Sequence, residues 1–148
     1  SYYADRVTIV KYNGTTATAT TLQLPVSSYQ PENIAISDDG TRAFITSPNT
    51  KYALGVIDTT VASPTITWFA ADSSMYSVVS SSDGSHAYAI GYGAGVYLFD
   101  TVTGEYTLLK GMAWGYYYEQ VAVSDNGLRV VSTDGSNLTL AVLPASLL

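Results

Sequence analysis

The chain has 148 residues, of which 47% are hydrophobic and only 12% charged, and its formal net charge is -6. This proportion of apolar side chains supplies a sizeable core and excludes an intrinsically disordered protein. The six lysine and arginine residues are dispersed, so no basic stripe forms that would bind a nucleic acid. The sequence contains no cysteine, which excludes disulfides and thiolate metal sites.

The first predicted elements are two short strands, Val7 to Tyr12 and Ala19 to Leu24. Serine, threonine, glycine and tyrosine are abundant along the whole chain, and this mix favours strands and turns. No stretch shows the 3.6-residue period of an amphipathic helix. No apolar run approaches the ~20 residues that a membrane-spanning helix needs. We therefore expect an all-β protein without a membrane span.

A unit of about 43 residues repeats after these two strands. The segments 34–45, 78–89 and 121–132 align so that Gly40, Gly84 and Gly127 fall in register, at spacings of 44 and 43 residues. Each segment consists of an apolar run, a polar turn ending in Asp-Gly or Asn-Gly, and a second apolar run. This pattern predicts a β-hairpin in which the glycine supplies the positive φ of the turn.

Two further strands complete each unit. The segment Leu54 to Asp58 aligns with Val96 to Asp100, and the predicted fourth strands are Thr65 to Phe69 and Tyr106 to Leu109. Four short strands in a repeat of this length predict a β-propeller blade. A β-sandwich or a β-solenoid is the nearest alternative, although a sandwich needs no such internal period.

The wording of the repeat also carries a family resemblance. Residues 31–45, PENIAISDDGTRAFI, together with Gly55-Val-Ile-Asp-Thr-Thr60, resemble the YVTN-type β-propeller repeat of surface-layer proteins, other cell-envelope proteins and lactonase-like propellers. The later copies depart from the pattern, because Met75 and Tyr118 lie near the place of the usual proline. The strand Leu138 to Leu143 also lacks the aspartate that should follow it. The resemblance implies a propeller fold, on which many unrelated activities occur.

The number of strands predicts an incomplete ring of about three blades. Residues 1–25 are expected to form an outer half-blade, residues 26–72 and 73–114 two blades, and residues 115–148 a partial blade. Propellers close with about four to eight blades. Either the remaining blades belong to a longer chain or a second copy of this chain completes the ring, and the first explanation is favoured.

The loops that enter the innermost strands are the predicted binding surface, because loops on a rigid scaffold commonly carry function. Aromatic rings there would stack on sugars or anchor a protein partner. The alternative is that these rings pack between blades or fill the central channel. The candidate ligand-binding residues are Tyr29, Tyr76, Trp114, Tyr117, Tyr118 and Glu119.

The other polar residues suggest structural roles. The only histidine, His86, is expected to be an exposed strand residue, and Asp58 and Asp100 to cap the turns that follow them. Glu32 and Glu119 occupy near-equivalent positions before innermost strands, but Ser77 of the intervening blade interrupts that pattern. Acids and amides in the three hairpin turns are expected to stabilise those turns rather than to bind calcium. They are Asp38, Asp39, Asp83, Asp125 and Asn126.

These observations favour a non-enzymatic propeller that acts as a binding or scaffold module and needs no cofactor, metal or catalytic residue. The expected partner is a protein or a carbohydrate, and nucleic acid is excluded by the charge. Low charge with many hydroxyl side chains favours an extracellular or cell-surface location. The alternative is a fragment of a lactonase-like propeller hydrolase, whose catalytic residues would come from several blades.

Overall fold

The computed structural model describes residues 6–24, 31–109, 120–133 and 138–148, and every long element in those ranges is a β-strand. The all-β class expected from the sequence is therefore confirmed. Two 3-10 turns that the sequence pattern did not predict occur at Thr50–Tyr52 and Ala145–Leu147. The strands are β1 (Arg6–Tyr12), β2 (Ala17–Gln23), β3 (Ile34–Ile36), β4 (Arg42–Thr46), β5 (Leu54–Asp58), β6 (Ile66–Phe69), β7 (Met75–Ser80), β8 (His86–Gly91), β9 (Gly95–Asp100), β10 (Tyr106–Leu109), β11 (Gln120–Val123), β12 (Arg129–Thr133) and β13 (Leu138–Val142).

The strands form four antiparallel sheets in which neighbouring strands are consecutive in the sequence. Strands β1 and β2 form an N-terminal hairpin, β3 to β6 form blade 1, β7 to β10 form blade 2, and β11 to β13 form blade 3. Two blades are thus four-stranded, whereas blade 3 has three strands among the described residues. These are β-propeller blades arranged as an incomplete ring, as the repeat predicted.

The first hairpin of every blade closes in the same way. In blade 2, the Ser81 hydroxyl donates a 2.7 Å hydrogen bond to Asp83 Oδ1 and accepts one of 3.0 Å from the backbone N–H of His86. Ser37 in blade 1 and Ser124 in blade 3 make the equivalent bonds. The three glycines in register have φ values of 71°, 69° and 72°. The turns therefore need both the serine and the glycine of the repeat.

Side chains of successive strand residues point to opposite neighbours. In β8, Ala87 and Ala89 pack in the cluster between blades 1 and 2, whereas Tyr88 and Ile90 pack in the cluster between blades 2 and 3. Blade 2 is consequently buried on both faces, and none of these four side chains is exposed. Most of the described core lies in these two interfaces between blades.

The N-terminal hairpin covers blade 1 only partly. Val7, Ile9 and Leu22 pack against a cluster that Ala43, Ile45 and Ile57 form. On the innermost strand β3, Ile34 and Ile36 remain 61% and 60% exposed, beside a groove of about 310 Å³ that they share with residues of β1. Within the described ranges, no helix is long and apolar enough to cross a membrane.

Candidate binding surface

The antiparallel order of the strands gives the arc two chemically different ends. The turns between β4 and β5 and between β8 and β9, and the connection from β6 to β7, lie at one end, here called the aromatic end. The first hairpin turns of the blades and the turns before β6 and β10 lie at the opposite end, here called the acidic end. Most acidic residues that the structure describes are at that second end, namely Asp38, Asp39, Asp58, Asp83, Asp100, Glu105 and Asp125.

Tyr76 and Tyr92 form an aromatic pair at the aromatic end of blade 2. Their ring centroids are 5.8 Å apart and the rings are tilted by 46°. Tyr76 lies in a β-bulge of the innermost strand, because Met75 pairs with Gly91 whereas Ser77 pairs with Ile90. A bulge redirects the side chain of the extra residue, and such irregularities are common beside binding sites. Tyr92 is 40% exposed, so the pair is accessible from solvent.

A second aromatic pair lies at the same end of blade 1. Tyr52 and Trp68 meet edge to face with ring centroids 5.9 Å apart. The ammonium nitrogen of Lys51 lies 5.3 Å from the centroid of the Tyr52 ring. Both aromatic side chains are half-buried. The aromatic end therefore carries two partly exposed ring pairs on neighbouring blades.

Hydrogen bonds hold the loops of this end together. The Tyr97 hydroxyl donates a 2.6 Å bond to Asp72 Oδ1, and the Ser73 hydroxyl donates to the backbone carbonyl of Tyr92 at 3.1 Å. The Ser74 hydroxyl donates to the carbonyl of Pro48 in the adjacent blade. Burial and the hydrogen bond to Asp72 raise the pKa of Tyr97 above its ordinary value. These contacts fix the support beneath the Tyr76 and Tyr92 rings.

The structure places Tyr76, alone among the predicted ligand-binding residues, within the described ranges. Tyr29, Trp114, Tyr117, Tyr118 and Glu119 lie outside them, so their role stays a prediction. Glu32 is exposed in the segment that leads directly into β3. The strand pairing aligns Glu32 with Tyr76 rather than with Ser77, because Ile34 faces Ile45 in blade 1 as Val78 faces Ala89 in blade 2.

Sequence reasoning missed Tyr52, Trp68 and Tyr92. These residues lie in or beside the turns between the second and third strands, whereas the predicted surface comprised only the loops that enter innermost strands. The signal that was available is topological. In an antiparallel blade those two classes of connection reach the same end of the sheet.

The acidic end consists of structural turns, as the sequence predicted. Asp58 Oδ1 accepts a 2.8 Å hydrogen bond from the backbone N–H of Thr60, and Asp100 Oδ1 accepts one of 2.8 Å from Val102. Hydrogen bonds from Ser85 N–H and the Ser81 hydroxyl lower the pKa of Asp83 to about 2. The pKa of Asp39 is lowered by the hydroxyl of Ser37. The carboxylates of these four residues therefore accept hydrogen bonds within their own turns and stabilise those turns.

His86 is half-buried at the start of β8, so the expectation of an exposed strand residue is wrong about its burial. Its Nδ1 lies 2.8 Å from the Ser85 hydroxyl, which also donates to Asp83 Oδ1 at 2.8 Å. The side chain is partly covered because it projects towards blade 3, on the same side of β8 as Tyr88. Among the described residues, no group of three or more His, Cys, Asp or Glu side chains is placed to hold a metal ion.

No protein-family model matches the chain, and no curated protein matches it in sequence. Solved structures match its fold. Hydrazine synthase from Kuenenia stuttgartiensis aligns with a TM-score of 0.65 and 18% identity, over 93% of this chain and 40% of that chain. A "putative 6-phosphogluconolactonase" from Bacteroides uniformis aligns with a TM-score of 0.71 and 14% identity, over 98% of this chain and 46% of that chain.

A gluconolactonase from Xanthomonas campestris aligns with a TM-score of 0.57 and 16% identity, over 90% of this chain and 47% of that chain. At these identities the likeness shows the fold alone. This chain spans less than half the length of each of these three solved chains.

Proposed function

We propose that this chain is part of an extracellular or cell-surface β-propeller that binds a partner, without catalysis, through its aromatic end. The observation that carries the proposal is the Tyr76 and Tyr92 pair, whose rings lie 5.8 Å apart at a bulge of an innermost strand. Strained or irregular strand geometry next to exposed rings is typical of a binding surface.

Aromatic rings on a rigid support suit recognition of a carbohydrate or of a protein. A tyrosine ring offers a large apolar area and a polar hydroxyl, and it loses little conformational entropy on binding. The hydrogen bonds of Asp72 and Ser73 hold the neighbouring loop in place before any partner arrives. The surface is therefore preorganised, which lowers the cost of association.

We propose the extracellular or cell-surface location from the amino-acid composition and from the sequence of the repeat. Only 12% of the residues are charged, and hydroxyl side chains are abundant. The segment 31–45 resembles the YVTN-type repeat of envelope proteins. Both features support a place outside the cytoplasm, where a binding module would meet glycans and other surface proteins.

The experiment compares ligand binding by the wild-type chain, by Tyr76→Ala and by Tyr92→Ala on a glycan array and on immobilised envelope extracts. Tyr12→Ala is the matched control, because Tyr12 is 71% exposed on β1, away from the aromatic end. We expect both test variants to lose at least about tenfold in affinity, or about 1.4 kcal/mol, while the control binds normally. Equal binding by all four proteins, with unchanged circular dichroism, would rule out this surface.

A lactone hydrolase is the second candidate, supported by the two solved lactonase structures of the same fold. Exposed carboxylates at the aromatic end, Glu32 and Asp72, would be the general bases available among the described residues. Turnover of glucono-lactone above the spontaneous rate, abolished by Glu32→Gln, would replace the binding proposal with this one.

A further inference from the structure

Three positions in each blade face the following blade. The first position is a residue of the second strand. The second is the residue that pairs with it on the third strand, and the third lies two residues earlier on that same third strand. The three sets are Phe44, Val56 and Leu54 in blade 1, Tyr88, Leu98 and Val96 in blade 2, and Val131, Leu140 and Leu138 in blade 3.

The first two sets are covered by the next blade. Phe44 and Leu54 are fully buried in the cluster that blade 2 completes. Tyr88 and Val96 are fully buried in the cluster that blade 3 completes. The same apolar positions therefore make both interfaces of the arc.

In blade 3 the equivalent side chains face solvent. Leu138 is 72% exposed and Leu140 is 61% exposed, and Val142 on the same face of β13 is 69% exposed. Contiguous apolar residues on one face of a sheet are unusual on a solvent-exposed protein surface, and they mark an interaction site. These residues occupy the positions that contact the next blade in blades 1 and 2, and this equivalence indicates what kind of surface covers them.

We infer that this face of blade 3 is a docking surface for one further complete blade of the same repeat type. The two interfaces inside the chain show what the facing side of such a blade contains. Blade 2 presents Ala87, Ala89 and Val78 to blade 1, and blade 3 presents Val121 and Val130 to blade 2. The incoming blade accordingly offers small and β-branched apolar residues on its inner strands. This inference is independent of the proposed function.

A second copy of this chain that met blade 3 through its own blade 1 does not fit as the occupant. Strand β2 comes directly before the first strand of blade 1, just as β6, the fourth strand of blade 1, comes directly before the first strand of blade 2. Strand β2 therefore holds the fourth-strand position of its own blade, and β1 holds the third. In blade 3, β13 holds that same position. In an end-to-end dimer that placed blade 3 of one copy over Ile34 and Ile36 of the other, β13 of the first copy and β1 of the second would occupy the same third-strand position. The occupant is a blade from further polypeptide that carries its own four strands.

The test builds such a blade from the chain itself. Leu143 occupies the backbone position of Thr101, since Leu143 N–H donates to Leu128 O as Thr101 N–H donates to Ser85 O. Joining residues 1–143 directly to residues 102–148 therefore gives blade 3 a fourth strand and adds a further blade over its exposed face. The added blade repeats residues 138–142, so its own copy of this face stays exposed, and we expect only the first copy to become buried.

The decisive comparison is Leu140→Thr, made in the first copy of residue 140, in both proteins. We expect the melting temperature to fall by about 5 °C or more in the extended chain, because the side chain becomes buried, and by less than about 2 °C in the parent. Val102→Thr is the matched control, since Val102 is 70% exposed on a turn of blade 2. Equal, small effects of Leu140→Thr in both proteins would overturn the inference.

A second measurement covers the case in which the extended chain does not fold. The parent variant with Thr at positions 138, 140 and 142 should keep its melting temperature within about 3 °C and bind less of a hydrophobic-surface dye. A large loss of stability would mean that these side chains are already buried within the chain. Light scattering on the parent chain measures its oligomeric state. A stable dimer that Leu140→Thr dissociates would identify a second copy as the occupant and refute the inference.

Discussion

The hydroxyl of Tyr88 in blade 2 donates a 2.7 Å hydrogen bond to the backbone carbonyl of Gly127 in the hairpin turn of blade 3. The equivalent carbonyl of blade 2, that of Gly84, accepts a 3.1 Å bond from Arg42 of blade 1. The hairpin turns of blades 2 and 3 are thus both tied to the preceding blade at the same carbonyl, although the donor differs. These bonds fix the position of one blade relative to the next.

Replacing Tyr88 by phenylalanine should lower the free energy of unfolding by about 1 to 2 kcal/mol, because the buried Gly127 carbonyl loses its donor. The ring itself stays, so the packing against blade 3 is retained. Urea denaturation followed by circular dichroism measures the change. Tyr12→Phe is the control, since the Tyr12 hydroxyl donates to Gly14 at an exposed site. An effect of Tyr88→Phe no larger than that of the control would contradict the prediction.

The same tyrosine should make the fold sensitive to alkali. Burial raises the pKa of Tyr88 from 10.0 to about 12. The unfolded chain therefore releases this proton first, and the stabilising contribution is complete below pH 10 and is lost as the pH rises from 10 to about 12. Unfolding midpoints measured across that range should fall less steeply for Tyr88→Phe than for the wild type. A residual slope is expected, because the pKa of Tyr97 is raised as well.

Acid should destabilise the hairpin turns. Hydrogen bonds from Ser85 and Ser81 lower the pKa of Asp83 from 3.8 to about 2, so its contribution is present above pH 3.8 and is lost as the pH falls towards 2. Blade 3 supplies the matched replacement, since Asn126 accepts the equivalent bond from Ser124 without a titrating proton. Asp83→Asn should therefore be close to wild type at pH 7 and show a shallower decline in melting temperature between pH 4 and 2. Identical acid profiles would count against this role.

Two glycines with similar backbone conformation should respond differently to alanine. Gly104 has a φ of +77°, and a methyl group there would overlap the ring of Phe69 in blade 1. Gly40 has a φ of +71°, and a methyl group there would have no neighbouring atom within 4 Å. Gly40→Ala should cost about 1 to 2 kcal/mol from the left-handed conformation alone. Gly104→Ala should cost about 1 to 3 kcal/mol more from overpacking, and calorimetry of the two variants compares them.

The repeat predicted much of the fold because glycine-dependent turns leave a local signature. The repeat period and the Asp-Gly or Asn-Gly turns predict hairpins at Gly40, Gly84 and Gly127, and all three glycines have positive φ. Asp58 and Asp100 were assigned to turn capping, and their carboxylates accept backbone N–H bonds there. Both features depend on residues within a few positions of each other.

The site was harder to predict because it depends on contacts between distant segments. The bulge at Tyr76 follows from pairing with β8 and has no local marker in the sequence. Tyr52 and Trp68 meet only because β6 pairs with β5 and so brings Trp68 beside the turn that contains Tyr52. The partial burial of His86 likewise results from the neighbouring blade rather than from its own strand.

The consecutive order of the strands has a consequence for folding. Each sheet is built from strands adjacent in sequence, so the loops closed during folding are short and assembly can proceed blade by blade. Among the blades that the structure describes, blade 2 alone has full interfaces on both faces. Its amide protons should therefore exchange with solvent most slowly, while those of β1 and β13 at the two margins exchange first.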